Sequence, residues 1–201
     1  MIAIIDYGRG NLRSVQKAFE AVGVSAIVTR DFNKIADAKA LVIPGVGAFY
    51  DAMAELKKEA LDEKIKDEVK KGKPIVGICL GMQVLFENGY EVKQCKGLEL
   101  LKGDVLKLPQ NYKIPHMGWN QLKLKGESQL LKGISEGEFV YFIHSFYAVA
   151  GESEVIKATT DYGVEVPAIV EKEHIFGLQF HPEKSGETGL KIIKNLGRLI
   201  G

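Results

Sequence analysis

A chain of 201 residues, 46% apolar and 26% charged, has the size and make-up of an ordinary globular domain able to bury its own core. Its 27 basic and 26 acidic residues leave a net charge of +1, which gives no electrostatic reason to expect nucleic acid or a membrane surface as a partner. No apolar run approaches membrane-spanning length, and Asp6 comes too early for a secretory signal. Two cysteines, Cys79 and Cys95, are too few for a disulfide framework, so the expectation is a cytoplasmic protein with reduced thiols.

In chain order, "IAIID" reads as a strand and "NLRSVQKAFEAVG" as a helix opened by Asn11 and closed by Gly23. "SAIVTR" and "ALVIPG" read as the second and third strands. "FYDAMAELKKEALDEKIKDEVKKG" reads as one or two helices with a solvated, charge-rich face. "PIVGIC" is a fourth strand, followed by a helix "LGMQVLFE". Buried, β-branched strands alternating with helices predict a parallel sheet covered on both faces. Beyond residue 95 the pattern changes to the short strands "LELLKGDVLKL", "NQLKLK", "FVYFIHSFYAVA", "EVIKATT" and "IFGLQF", with a closing helix "TGLKIIKNLGRLI". There are no repeats and no linker. The expectation is a single α/β domain over 1–201, with a central mostly parallel sheet flanked by helices and extra antiparallel strands in the C-terminal half.

Three stretches carry chemistry. Gly77-Ile78-Cys79-Leu80-Gly81 has the G-x-nucleophile-x-G spacing of a nucleophile elbow, with cysteine as the nucleophile. A sharp strand-to-helix turn needs glycines where backbones approach closely, and it sets the sulfur near a helix N-terminus. "GLQFHPEKS" ends a strand in His181-Pro182-Glu183, which could supply the base a thiol needs and the carboxylate that orients that base. In "IPGVGAF", a buried strand ends in Pro44-Gly45-Val46-Gly47, a turn able to aim N–H groups at an oxyanion together with the Leu80 N–H. Each stretch alone has a bland alternative: a buried thiol, a solvated loop, a common turn. All three fall at strand ends, where open α/β sheets keep their reactive crevice.

These motifs resemble those of the class I (triad) glutamine amidotransferases. "IIDYGRGNLRSV", "PHMGWN" and "YFIHSFY" extend the resemblance along the whole chain, toward the members that serve a (β/α)8-barrel cyclase. Arg9 and Phe146 depart from the family pattern, and the segment 87–96 is individual. The resemblance implies glutamine as substrate, a cysteine thioester, ammonia passed to a heterodimeric partner, and no cofactor or metal. It implies Cys79 as nucleophile, His181 as acid/base and Glu183 as the orienting carboxylate. Gly45, Val46, Gly47 and Leu80 would serve the oxyanion, with Gln83, Ser145 and Phe146 beside glutamine. Met117, Trp119 and Tyr141 would face the partner, and His116 and His144 are candidates for the site or the interface. A glutaminase from another amidotransferase and a stand-alone cysteine hydrolase are the alternatives.

Overall fold

The first half of the chain alternates β-branched strands with amphipathic helices, and it folds as that pattern dictates. The computed structural model describes residues 1–200. The order begins β1 (Ile2–Ile5), α1 (Leu12–Ala21), β2 (Ala26–Thr29), α2 (Phe32–Asp37), β3 (Leu41–Gly45), α3 (Phe49–Lys58) and α4 (Leu61–Lys70). It continues β4 (Ile75–Cys79), α5 (Leu80–Gln83), β5 (Phe86–Gly89), β6 (Cys95–Lys96), β7 (Leu101–Lys107), β8 (His116–Gln121) and β9 (Lys123–Leu124). It ends β10 (Phe139–His144), β11 (Phe146–Ala150), β12 (Ile156–Asp161), β13 (Glu165–Lys172), β14 (Ile175–Leu178) and α6 (Gly186–Ile200).

Eight strands form the central sheet in the order β2-β1-β3-β4-β14-β13-β12-β9. The first five run parallel; β13, β12 and β9 continue the sheet antiparallel. β1, β3 and β4 are buried along their whole length. Alternate residues therefore serve opposite faces: Ile2, Ile4, Val42 and Val76 pack under α1 and α6, while Ile5, Leu41, Ile43 and Ile75 pack under α3 and α4. Two smaller sheets, β10-β8 and β11-β7-β5-β6, stand at the carboxyl ends of the parallel strands. Among the described residues no helix is long and apolar enough to cross a membrane.

Several sequence expectations need correction. "LGMQVLFE" is not one helix: a single turn, α5, gives way to β5. Val84, Leu85 and Phe86 are all fully buried, and an unbroken buried run has no periodicity to separate helix from strand. "FVYFIHSFYAVA" breaks at Ser145 into β10 and β11, which belong to different sheets. The strand β13 and helix α2 were not expected. Pro167 hides β13, and the structure admits it opposite a register shift in β12. The charged helical stretch splits at Ala60, which has φ +53, and two of its carboxylates, Asp62 and Glu68, are buried rather than solvated. Glu68 is buried and pairs with Lys64, Lys71 and Lys73, and these lysines hold its carboxyl down to about 2.

Candidate active site

Register brings the three motifs together. In the parallel sheet Gly45 pairs with Cys79, and Ile78 pairs with Leu178, so β3, β4 and β14 end level with one another. The oxyanion turn, the elbow and the His-Pro-Glu segment leave these three adjacent strands. That is the crevice position expected of an open α/β sheet.

The elbow is tight. Cys79 has φ +55 and ψ −113, a left-handed backbone that costs a non-glycine residue on the order of 1–3 kcal/mol. Two glycines enforce the turn. A Cβ on Gly81 would overlap the Ile43 carbonyl, and a Cβ on Gly77 would overlap the Gly81 carbonyl. α5 therefore starts directly against β3, with Cys79 at the apex and the Leu80 N–H next in line among the unpaired amides of a helix start.

Cys79 is largely buried, but its side of the elbow opens on a cleft of about 290 Å³. The thiol lies 3.7 Å from the Ile143 carbonyl, and the Gln179 amide points at the sulfur from 3.8 Å. His181 Nδ1 is 2.8 Å from Glu183 Oε1, and both side chains are almost completely buried. The ring's other nitrogen, Nε2, is buried and closes no hydrogen bond among the described residues. Burial by itself would lower the His181 pKa, but the adjacent Cys79 and Glu183 outweigh it and raise the pKa to about 9. The imidazole is thus anchored through Nδ1 on Glu183, with Nε2 left on the side of Cys79.

Val46 and Gly47 line the cleft, Gly47 with φ +100, while Gly45 stands behind them against Leu80 and Gly81. The buried Tyr7 hydroxyl donates to the Pro44 carbonyl at 2.8 Å, fixing the strand just before this turn. Leu80, Gln83, Ser145 and Phe146 all line the cleft, as does His144. His116 stands behind His144, buried and stacked on Phe142 and Tyr162. Met117, Trp119 and Tyr141 project from the β8–β10 ribbon, Met117 and Trp119 being 59% and 55% exposed.

Three cleft features have no counterpart in the sequence expectations. Among the described residues Glu91 is the only charged one lining the cleft, and its carboxylate accepts the Phe49 N–H at the start of α3 at 2.6 Å. Burial, above all, raises its pKa. Gln179 is fully buried and bonds Gln83 at 3.0 Å as well as reaching Cys79. Pro115 and Ile143 complete the wall. Gln179 had a signal, two positions before His181 at a strand end; Glu91, in a loop, had none. Among the described residues no group of three or more His, Cys, Asp or Glu is arranged to hold a metal ion.

Comparison with known proteins identifies the family. Residues 3–198 match the family Glutamine amidotransferase class-I. The chain is 53% identical over 200 residues to the imidazole glycerol phosphate synthase subunit HisH of Caldanaerobacter subterraneus subsp. tengcongensis, covering 100% of this chain and 98% of that one. It is 50% identical to the protein of the same name from Bacillus cereus, covering 100% and 95%. Among solved structures, PurLQS from Thermotoga maritima superimposes with a TM-score of 0.77 at 22% identity, covering 100% of this chain and 98% of that one. A glutamine amidotransferase from the same organism does so with a TM-score of 0.65 at 17% identity, covering 99% and 87%. At those identities the structural likeness speaks for the fold alone. With the family match spanning nearly its whole length, the chain belongs to the class-I glutamine amidotransferases.

Proposed function

We propose that this chain is the glutaminase subunit of an imidazole glycerol phosphate synthase in histidine biosynthesis. It hydrolyses glutamine to glutamate and ammonia and passes the ammonia to a (β/α)8-barrel cyclase subunit. The observation that carries the chemistry is the buried His181, tied to Glu183 on one side and free at Nε2 beside the cleft-facing Cys79. Near half-identity along the full length of proteins named as synthase subunits supports the particular assignment.

In this reading the thiol proton resides on His181 and the Cys79 thiolate attacks the side-chain carboxamide carbon of glutamine. The carbonyl oxygen takes up the negative charge, which the Leu80 N–H and an N–H of the Gly45-Val46-Gly47 turn stabilise. As the C–N bond breaks, His181 Nε2 gives its proton to the departing nitrogen and ammonia leaves, with a thioester on Cys79. Water then adds to the thioester carbon while His181 takes up one of its protons, the C–S bond breaks to restore the Cys79 thiolate beside protonated His181, and the new carboxyl group loses its proton to solvent as glutamate leaves. Glu183 fixes the ring throughout. Glu91, the sole charge lining the cleft among the described residues, suits the α-ammonium of glutamine.

The outer face of the β8–β10 ribbon supports a protein partner. Met117, Trp119, Phe139, Tyr141 and Ile143 form one apolar, largely exposed surface beside the cleft mouth, of the aromatic and Met-rich kind found at interface centres. The test of the whole assignment is Cys79→Ala assembled with the cyclase. Glutamine-dependent synthesis should disappear while synthesis from free ammonia persists. Glutaminase activity near wild type would remove Cys79 from its role.

A further inference from the structure

The inner face of the β8–β10 ribbon carries a polar chain, running from the half-buried Asn120 through the buried His116 and His144, that the hydrolysis itself does not use. It begins at Asn120, whose amide is fixed at both ends: Oδ1 accepts the Gln121 N–H at 2.8 Å, and Nδ2 donates to the Asp161 carbonyl at 2.9 Å. The second Nδ2 hydrogen serves His116 Nε2, 3.3 Å away. His116 Nδ1 lies 3.0 Å from His144 Nε2, and His144 Nδ1 lies 2.9 Å from the Phe146 carbonyl.

The protons in this chain can be assigned by elimination. A carbonyl only accepts and an amide nitrogen only donates. His144 must therefore carry its proton on Nδ1, and His116 Nε2 must be the bare nitrogen that accepts from Asn120. The link between the rings is then made by His116 Nδ1–H donating to His144 Nε2. Every bond runs in the same direction, from Asn120 to Phe146, and both rings are neutral. Burial agrees, lowering His116 to about 4 and His144 to about 3.

The chain ends on an acceptor that belongs to the site. The Phe146 carbonyl also takes a hydrogen bond from Gln83 at 2.8 Å, and Gln83 leads through Gln179 to Cys79. Gln83, His144, Ser145 and Phe146 line the cleft; His116 and Asn120 do not. The segment so anchored is the Ser145 break between β10 and β11, which no single sheet holds on both sides.

We propose that His116 and His144 are positioning residues: their one-way hydrogen-bond chain fixes the Phe146 carbonyl, and with it the Ser145–Phe146 corner, in the orientation that bound glutamine meets. The proposal rests on the reading of the cleft as a glutamine site. Cys79, His181 and the oxyanion turn leave other strands, so the chain governs how glutamine is held rather than how fast bound glutamine reacts.

The test is steady-state glutamine hydrolysis by the full chain assembled with the cyclase, together with the melting temperature of each variant. His116→Phe keeps a ring between Phe142 and Tyr162 but offers His144 no donor. Its KM for glutamine should rise about tenfold, the size of one lost hydrogen bond, with kcat within about twofold of wild type. His116→Asn restores an N–H near the Nδ1 position and should recover most of that KM. A merely structural role would lower the melting temperature and leave KM alone. A folded His116→Phe with wild-type KM overturns the proposal, and so does a His116→Asn no better than His116→Phe. Should His116→Phe not fold, Asn120→Ala spares the ring stack and removes the first donor; its KM must rise about threefold, and an unchanged KM is equally decisive. A wild-type assembly that hydrolyses no glutamine sinks the functional reading and this proposal with it. An active wild type with silent variants sinks this proposal alone.

Discussion

His181 and Glu183 are joined through one proline and held at 2.8 Å, yet the mechanism asks different things of them. In the proposed mechanism the ring moves protons, and the carboxylate only holds the ring. Positioned acid/base groups contribute about 10²–10⁴-fold, and a carboxylate that orients one contributes less than the base it supports. His181→Ala should therefore lower kcat/KM for glutamine at least as much as Glu183→Ala; the opposite order in a paired kinetic measurement would give Glu183 a direct part in proton transfer. These residues were legible in the sequence because their motifs carry their own geometry. A G-x-C-x-G spacing is what a helix pressed onto a strand end requires, and Gly77 and Gly81 meet neighbouring carbonyls where any side chain would collide. Glu91 was not legible. It reaches the cleft from a loop, and only tertiary packing against the start of α3 gives it a role.

The β8–β10 ribbon divides its work between faces, with polar chain and Phe142 inward and Met117, Trp119, Phe139, Tyr141 and Ile143 outward. A side chain more than half exposed adds little to the core, so Trp119→Ala should leave the melting temperature of the free chain within a few degrees of wild type. The same change should weaken assembly with the cyclase by about 2 kcal/mol or more, the loss typical of an aromatic anchor, as measured by calorimetric titration. A large fall in stability with unchanged affinity would assign Trp119 to the core. Elements in the first half were readable because alternation of buried strands and amphipathic helices is a regular signal. What periodicity does not mark are breaks: the single turn of α5 and, in the second half, the switch of sheets at Ser145 and Pro167 inside β13.

Across the whole molecule, buried ionisable groups set the acid limit of stability. His116 and His144 are lowered to about 4 and 3; their contribution is complete above about 6.5 and is lost as pH falls toward those values. Glu68, held down to about 2 by its lysines, adds to the loss on the acid side. In the proposed mechanism the proton on His181 is the one the Cys79 thiol gives up, so folding takes up no extra proton at that pair near neutral pH. Stability should therefore hold above about pH 6.5 and fall below it. In thermal melts across pH, His116→Phe should flatten the acid decline, and an identical decline in the variant would discharge His116 as a source.

The left-handed backbone at Cys79 bears on how such a chain evolves. Glycine at position 79 would relieve the backbone there, at the loss of the contacts the buried Cys79 side chain makes in the core. On the proposed mechanism the thiol is kept by selection on turnover against the pull of the backbone strain it imposes. In a lineage whose partner draws enough free ammonia from its surroundings, that pull would go unopposed. The first trait to decay would be the nucleophile, and the scaffold and its docking ribbon would outlast the reaction they once served.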